Sequence, residues 1–422
     1  MKMSNSRLEV LLSSEATGQM FNICVWDPTT GTNLKIYKGS ATKLKTFCVL
    51  GNTFIVSGQP HKPLLNVWQL NKHEQKPLKY ITPGVLQSIA SSPSGHILVG
   101  TNEERIYVWQ TCSGKLLRIL SNGHYQKINL LKFSTDGSHF ISAGEDGNVI
   151  VWPLDSSKPR HIWNHHSLGV SDFHVGIGGL KSQIFTASKD QTSKVYDVAS
   201  GQFLLDVEFN SPLSAISVDI AEENGFVGTD SGNIHMFSLL HPARDMKMSV
   251  EPANNNTFKG HTKNITCLSV SLDGLTLASG SIDNDVRIWH IKSRQCVKVI
   301  PHKGILTSLM YMIPKRGMLN PDDFKADVTL SLLEKTVVEK GTAFSDIYSL
   351  DIISNPDDLG NESKEPNARS LLQSGMSLSK HTIQNDHQPI EGQSDDLTEI
   401  QRLKGINQKL YEAAVKAILK QQ

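Results

Sequence analysis

The stretch Gly260–Ile291, GHTKNITCLSVSLDGLTLASGSIDNDVRIWHI, shows most clearly how the chain is built. It contains three runs with alternating apolar residues, separated by an Asp-Gly pair at 273–274 and by a polar turn around Asp283. Short runs that are rich in β-branched residues and separated by such turns predict antiparallel strands joined by hairpins. The spacing is specific, because His261 precedes Asp283 by 22 residues and Asp283 precedes Trp289 by six. Such fixed distances predict a repeating unit rather than a single hairpin with a buried tryptophan.

The third run of this unit recurs through the first three quarters of the 422-residue chain. Each copy ends in an aromatic residue, at Trp26, Trp68, Trp109, Trp152, Tyr196, Phe237 and Trp289. Successive copies lie 42, 41, 43, 44, 41 and 52 residues apart, and a polar insertion at 241–256 explains the longest interval. This period resembles that of the WD repeat, which forms one four-stranded blade of a β-propeller. The resemblance implies an all-β fold, a seven-bladed WD-repeat β-propeller.

The resemblance also implies structural tetrads, in which a histidine, a strand serine or threonine, a turn aspartate and the strand tryptophan share hydrogen bonds. The positions that match are His261, Ser279, Asp283 and Trp289; His124, Ser142, Asp146 and Trp152; and Thr186, Asp190 and Tyr196, with either His165 or His166. The third and sixth repeats have Glu103 and Ser231 in place of the aspartate, and the second repeat shows no convincing tetrad. Because buried polar groups need partners, we expect the incomplete blades to depend on apolar packing.

The first blade is one strand short, because only two strand-like runs precede its outer strand. The run ILTSLMYMI at 305–313 has the right position to supply the missing innermost strand. A strand from the far end of the chain would close the ring and remove open sheet edges. The alternative is a disordered exit segment. On the closure hypothesis, we expect deletion of 305–422 to destabilise the propeller sharply and deletion of 320–422 to leave it intact.

After the repeats the composition changes, and we predict three parts: a propeller at 1–313, an acidic, partly disordered linker at 314–395 and a coiled-coil helix at 396–422. Residues 320–399 carry six Lys/Arg against 16 Asp/Glu, whereas 400–422 carry five against one. Polar, aromatic-poor sequence at 352–395 indicates disorder. The more apolar stretch 327–351 leaves two alternatives open, docking on the propeller or a partner, and disorder.

The end of the chain has apolar residues at coiled-coil spacing. The predicted oligomerisation seam consists of Ile400, Leu403, Asn407, Leu410, Ala414 and Ala417. A polar residue such as Asn407 on a seam can fix register and oligomer state. The pattern favours a homodimer through this α-helical coiled coil; a single amphipathic helix packed on another protein is the alternative.

No motif for catalysis or metal binding is present. The chain has no phosphate-binding GxxxxGK[ST], no HExxH, no GxSxG and no metal-spaced Cys/His set. We therefore predict no enzyme activity, no cofactor and no metal. Five widely spaced cysteines indicate free thiols in a reducing compartment. The polar N-terminus and the absence of a long apolar run predict a soluble intracellular protein without a membrane span.

Protein–protein interaction is the predicted activity, since propellers of this kind act as docking platforms through their loops. The longest departures from the minimal repeat, at 58–65, 155–169 and 240–257, are candidate binding loops. Lysines in the first two blades offer a surface for an acidic protein or for RNA, with a solvated face as the alternative reading. The basic residues concerned are Lys38, Lys43, Lys45, Lys62, Lys72, Lys76 and Lys79.

The whole layout, with an acidic tail and a terminal coil, resembles a branch of the WD-repeat family that acts in ribosome assembly. The segments that carry this resemblance are 124–152, 163–166 and 258–274. It implies a scaffold in the nucleus, nucleolus and nucleoplasm, with the cytoplasm as a further location. The implied role is large ribosomal subunit biogenesis and pre-rRNA processing at the second internal transcribed spacer. The implied partners are a proline-, glutamate- and leucine-rich scaffold protein, a testis-expressed protein 10-like subunit, midasin and the pre-ribosome.

Two other functions fit a WD-repeat adaptor, namely a trafficking adaptor and a ubiquitin-ligase substrate receptor. Receptors of cullin ligases carry Trp-Asp-x-Arg at a strand end. In this chain Trp26-Asp27 is followed by Pro28-Thr29, and Tyr196-Asp197 by Val198-Ala199, so the arginine is missing. This difference favours the ribosomal reading over the ligase.

Overall fold

A computed structural model describes residues 9–17, 23–39, 41–72, 77–240, 247–249, 256–315, 317–319, 324 and 326–336. These residues form 29 β-strands in seven sheets and one 3-10 turn at Gly179–Lys181. The predicted seven-bladed β-propeller is confirmed. No helix in the described part of the chain is long and apolar enough to cross a membrane.

The strands follow the repeats in chain order. Blade one begins with β1 (Val10–Glu15), β2 (Ile23–Trp26) and β3 (Asn33–Tyr37). Blade two has β4 (Phe47–Leu50), β5 (Phe54–Gly58), β6 (Leu64–Gln69) and β7 (Leu78–Ile81). Blade three has β8 (Ser88–Ser91), β9 (Ile97–Asn102), β10 (Arg105–Gln110) and β11 (Leu116–Leu120). Blade four has β12 (Ile128–Phe133), β13 (His139–Gly144), β14 (Val149–Pro153) and β15 (His161–Trp163).

The remaining blades continue the series. Blade five has β16 (Val170–Val175), β17 (Gln183–Ser188), β18 (Thr192–Asp197) and β19 (Phe203–Glu208). Blade six has β20 (Leu213–Val218), β21 (Asn224–Thr229) and β22 (Ile234–Ser238), then β24 (Thr257–Phe258) after the short β23 (Lys247–Ser249). Blade seven has β25 (Ile265–Val270), β26 (Thr276–Ser281), β27 (Asp285–His290) and β28 (Gln295–Pro301). The last strand is β29 (Leu306–Met312).

The first strands of successive blades contact one another from β4 round to β29, so they form an inner ring about a central channel. Since all inner strands run in the same direction, the ring has two faces. We call the face with the loops that precede the inner strands the entry face. The face with the turns that follow the inner strands is the exit face.

The core lies in layers between neighbouring blades. The cluster between blades four and five, for example, joins Ile141 and Val149 with Phe173, Ile184 and Tyr196. Successive side chains of a strand point to opposite faces of its sheet, so strands such as β14, with four buried residues in a row, pack against other blades on both faces. The Asp-Gly turn of the quoted stretch also has the expected geometry, since Gly274 has φ +66°, a conformation that favours glycine.

The closing strand lies where the sequence predicts it. β29 pairs antiparallel with β1, with Val10 opposite Met312 and Ser14 opposite Ser308, and the sheet order of blade one is β29-β1-β2-β3. A hydroxyl chain strengthens the join, because Thr307 Oγ1 lies 2.7 Å from Ser14 Oγ and 2.8 Å from Thr42 Oγ1. The ring is therefore closed by strands from opposite ends of the repeat region.

Part of the predicted binding loop 240–257 serves another blade. β23 pairs in parallel with β19, with Val207 opposite Met248, and so adds a fifth strand to blade five. Met248 packs against the apolar cluster of blades five and six. These three residues therefore cover the outer edge of blade five, where an exposed strand would otherwise be open to pairing.

The packed body continues past the predicted boundary at residue 313. Met318 is fully buried between blades one and two, and Val328 and Leu333 lie in the core of blades two and three. For residues 326–336, called here the C-terminal strap, the docking alternative therefore holds. The predicted coiled-coil helix at 396–422 and its seam lie outside the described residues and stay a prediction.

Candidate functional site

The repeating polar groups of blade four meet in one buried chain. His124 Nε2 lies 2.7 Å from Ser142 Oγ, and Trp152 Nε1 donates to the same oxygen at 2.8 Å. The other ring nitrogen, Nδ1, lies 3.0 Å from an oxygen of Asp146. We assign the proton to Nδ1, because the Asp146 carboxylate can only accept and Nε2 then accepts from the serine hydroxyl. The tetrad joins the loop that precedes the inner strand to two other strands of its blade.

Blade seven repeats this geometry. His261 Nε2 lies 2.7 Å from Ser279 Oγ, His261 Nδ1 lies 2.9 Å from Asp283, and Trp289 Nε1 donates to Ser279 at 2.8 Å. Burial opposes the charge of the Asp283 carboxylate, but the hydrogen bond from His261 and the amides of Thr262 and Asp285 outweigh burial and lower its pKa. Burial also lowers the pKa of His261. Each group of this tetrad is thus held by a neighbour within the same blade.

Blade five has a shorter chain than the resemblance implies. The histidine is His166, with Nδ1 2.9 Å from Asp190 and Nε2 2.8 Å from Thr186 Oγ1. The buried hydroxyl of Tyr196 has no hydrogen-bond partner among the described residues, so Tyr196 does not complete a tetrad. Its ring instead stacks on Trp163 with a centroid distance of 4.6 Å. His165 lies on the outside of the same group, with its ring tilted relative to that of Tyr196 at a centroid distance of 5.6 Å.

A further hydrogen-bonded set, missed by the sequence reasoning, joins the two ends of the propeller. Trp26 Nε1 donates to Ser13 Oγ at 2.8 Å, and the same oxygen lies 2.8 Å from His302 Nε2. His302 was missed because it is 289 residues from Ser13. A signal was present, since His302 precedes Leu306 by the same four residues that separate His261 from Ile265.

The C-terminal strap replaces a missing tetrad group in blade three. In blade four, the tetrad serine Ser142 pairs across the sheet with Ile150, two residues before Trp152; in blade three the corresponding position is Gly100, which has no hydroxyl. Trp109 Nε1 donates instead to the backbone oxygen of Glu334 at 2.9 Å. A strap residue thus satisfies a buried indole that its own blade cannot serve.

The rest of the strap is held by hydrogen bonds to the exit face. The Asp327 carboxylate accepts from the Asn52 amide at 2.8 Å and from Thr53 Oγ1 at 2.5 Å. Further along, Ser331 N donates to Thr111 O at 3.0 Å and Glu334 N to Gly114 O at 2.8 Å. Backbone pairing and a carboxylate cap together fix this segment across blades two and three.

Charged side chains bridge the central channel. Asp172 on β16 pairs with Lys45 of blade two at 2.8 Å and with Lys132 of blade four at 3.5 Å. Burial opposes ionisation of Asp172, but the two lysines outweigh it and lower its pKa; burial also lowers the pKa of Lys132. These ion pairs tie three blades together. Separating them is costly, because it would leave a buried charge without a partner. Among the described residues, no group of three or more His, Cys, Asp or Glu could hold a metal ion.

The comparisons with known proteins agree with this fold. The family model for the WD domain, G-beta repeat, matches residues 114–153 and 253–290. The chain is 37% identical over 330 residues to WD repeat-containing protein 18 of Danio rerio, covering 76% of each chain. With the Homo sapiens protein of that name it shares 35% identity over 339 residues, 78% of each chain. The chain belongs to the WD repeat-containing protein 18 family.

A more distant relative carries a functional name. The chain is 29% identical over 325 residues to pre-rRNA-processing protein pro-1 of Caenorhabditis elegans, covering 72% of this chain and 61% of the relative.

Some of the candidate binding residues of this family member are engaged within the propeller. Two of the lysines singled out in the sequence are occupied internally, since Lys45 pairs with Asp172 and Lys43 Nζ donates to Leu86 O at 2.9 Å. The loop 155–169 is tied to blade three, because Arg118 donates to the carbonyls of Leu154 and Asp155. The basic surface predicted for blades one and two is therefore smaller than the lysine count indicates.

Proposed function

We propose that this chain is a non-catalytic scaffold subunit of a nuclear complex for large ribosomal subunit biogenesis. In this proposal the complex processes pre-rRNA at the second internal transcribed spacer. The observation that carries the proposal is similarity to the WD repeat-containing protein 18 family over 76% of the chain, with a further relative named for pre-rRNA processing. These relatives support a shared role in rRNA processing, and the particular complex is what we propose in addition.

The geometry supports a platform rather than a catalyst. The histidines and aspartates of the repeats bind one another within their own blades, and the ion pairs of Asp172 bridge the channel. A ring closed by β29 and braced in this way holds its surface loops in fixed positions. Loops on a rigid scaffold are the usual carriers of binding specificity.

The proposed partners are a proline-, glutamate- and leucine-rich scaffold protein, a testis-expressed protein 10-like subunit, midasin and the pre-ribosome. In this proposal the propeller contacts one set of partners and the predicted terminal coil provides a second attachment point or a homodimer contact. Affinity purification followed by mass spectrometry tests the set directly. Recovery of ligase subunits or vesicle-coat proteins in place of ribosome-assembly factors would contradict it.

Depletion of the protein tests the function itself. We expect fewer free large subunits on a sucrose gradient and accumulation of 5.8S rRNA precursors extended at the 3′ end. Re-expression of the wild-type chain should restore both readouts, which controls for off-target effects. A normal gradient and normal precursor blots after full depletion would refute the ribosomal assignment.

A further inference from the structure

The exit face differs in character between two halves of the ring. Two residues after the inner strand, blades two to four carry Asn52, Pro93 and Thr135, whereas blades five to seven carry Ile177, Ile220 and Leu272. These three aliphatic side chains are 54%, 44% and 43% exposed. The same position in equivalent turns is therefore polar or proline in one half and exposed and aliphatic in the other.

The three aliphatic residues lie on consecutive blades, since β16 contacts β20 and β20 contacts β25. Leu180 and Leu275, in the same turns as Ile177 and Leu272, are also exposed and extend the apolar surface. We name this set, Ile177, Leu180, Ile220, Leu272 and Leu275, the exit-face arc. Grouped exposed aliphatic side chains of this size commonly mark interaction sites, whereas scattered ones do not.

The turns of the arc are held in place by the neighbouring blades. The amide of Ile177 donates to Glu222 Oε1 of blade six at 3.0 Å. The amide of Leu272 donates to Glu9 Oε1, beside blade one, at 2.7 Å. Two of the three turns are thus fixed before any ligand arrives, which lowers the entropy cost of binding.

The surroundings of the arc are acidic. The three turns and their bonding partners carry Glu9, Asp219, Glu222, Glu223 and Asp273, with Lys181 as the basic residue among them. Burial raises the pKa of Glu9, the hydrogen bond from the Leu272 amide lowers it, and the negative charge of Asp273 raises it again. A ligand with basic side chains would relieve this repulsion.

The strap shows how the other half of the same face holds a peptide segment. There, Val328 enters the core of blades two and three, and Asp327 accepts hydrogen bonds from the turn residues Asn52 and Thr53. In the arc, Glu222 and Glu9 already accept from the corresponding amides. A ligand of the arc therefore needs no acidic cap, and its complement is apolar and basic.

We propose that the exit-face arc is the docking surface for an apolar segment of a partner protein that carries lysine or arginine residues. This docking surface adds a binding site to the proposed scaffold, and its biological role rests on the proposed function. Its physical basis is the aliphatic side chains on consecutive blades together with the excess of carboxylates around them.

A peptide of defined chemistry tests the surface on the purified full-length chain. The probe is a fluorescein-labelled 18-residue peptide of leucine and lysine in an amphipathic pattern, followed by anisotropy. The variant Ile177→Ser with Ile220→Ser and Leu272→Ser should weaken binding by about tenfold or more, equivalent to about 1.4 kcal/mol. The matched control, Ile81→Ser with Ile162→Ser and Val297→Ser, changes three exposed residues on outer strands, and its affinity should match the wild type.

Charge is tested separately. Glu223 is exposed, and we expect Glu223→Lys to weaken the leucine–lysine peptide and to reduce the dependence of affinity on salt. A leucine–glutamate peptide of the same pattern should bind far more weakly than the lysine form. Melting temperatures of all variants are measured alongside, and because the changes are on the surface they should stay close to that of the wild type.

Three outcomes would overturn the proposal. The arc and control variants could lose affinity equally, the glutamate peptide could bind as tightly as the lysine peptide, or light scattering could show that the arc mediates self-association of the chain. Failure here leaves the depletion experiment unaffected, because the peptide measurement needs only the purified protein. Conversely, a normal depletion phenotype would not change the result of the peptide measurement.

Discussion

At the residue scale, Ser13 has an unusual position, because its hydroxyl joins Trp26 near the start of the chain to His302 near the end of the repeats. Ser13 is 1% exposed, so Ser13→Ala leaves the indole N–H without its acceptor in the interior. Loss of a buried hydrogen-bond partner costs about 1–3 kcal/mol. We expect a decrease of this size in the free energy of unfolding, measured by urea denaturation. Ser308→Ala in the closing strand is the control and should change stability by less than about 0.5 kcal/mol.

The tetrad of blade seven also predicts a pH dependence. The pKa values of Asp283 and His261 both lie below their ordinary values of 3.8 and 6.5 in the folded chain. Unfolding releases both groups to bind protons at higher pH, so the stability they contribute is present at neutral pH and lost as pH falls. The loss should begin near pH 6.5 through His261 and steepen below pH 4 through Asp283.

Asp283→Asn isolates the carboxylate. The variant should be less stable at pH 7, and its stability should fall less steeply below pH 4 than that of the wild type. Melting temperatures from pH 3 to pH 8 measure the difference. Parallel curves for the two proteins would show that Asp283 does not contribute to the pH dependence.

At the scale of the element, the C-terminal strap changes the expected effect of truncation. The sequence alone predicts that deletion of 320–422 leaves the propeller intact. The burial of Val328 and Leu333 and the bond from Trp109 to Glu334 predict otherwise for blades two and three. A chain ending at 319 should melt at a lower temperature than one ending at 336, and a chain ending at 304 should be the least stable. Equal melting of the first two would show that the strap adds no stability.

Two adjacent leucines test the strap without truncation. Leu333 is 7% exposed and Leu332 is 77% exposed. Leu333→Ala should lower the free energy of unfolding by about 2–5 kcal/mol, because it leaves a cavity in the core. Leu332→Ala is chemically the same change and should cost less than about 0.5 kcal/mol. Similar losses for both would contradict the packing described here.

At the scale of the whole molecule, the sequence predicts that a coil at 396–422 pairs two chains into a dimer of propellers. Isolated helices of this length are marginal in water, so pairing along the oligomerisation seam would be needed for stability. Leu403→Asp together with Leu410→Asp should convert dimers to monomers in light scattering. A wild-type chain that is monomeric alone but binds a partner through this segment would favour the alternative of a single packed helix.

The sequence by itself determined the blade count, the period and the closing strand. These follow from local signals, namely alternating apolar runs, Asp-Gly turns and an aromatic residue at intervals of 41 to 52 residues. It also identified the residues of two complete tetrads, because in those blades the histidine, serine, aspartate and tryptophan keep fixed spacing within one repeat.

Only the tertiary structure decided which residues meet across the ring. His302 reaches Ser13, Lys45 reaches Asp172, and Glu334 reaches Trp109, in each case over more than 100 residues of chain. The spacing of His302 from Leu306 marks a histidine of the repeat, but no local pattern specifies the partners in these contacts, because the partners depend on which parts of the ring the fold brings together. The exit-face arc also depends on the fold: Ile177, Ile220 and Leu272 are ordinary turn residues in the sequence, and the packing of blades five to seven side by side places them on one face of the ring.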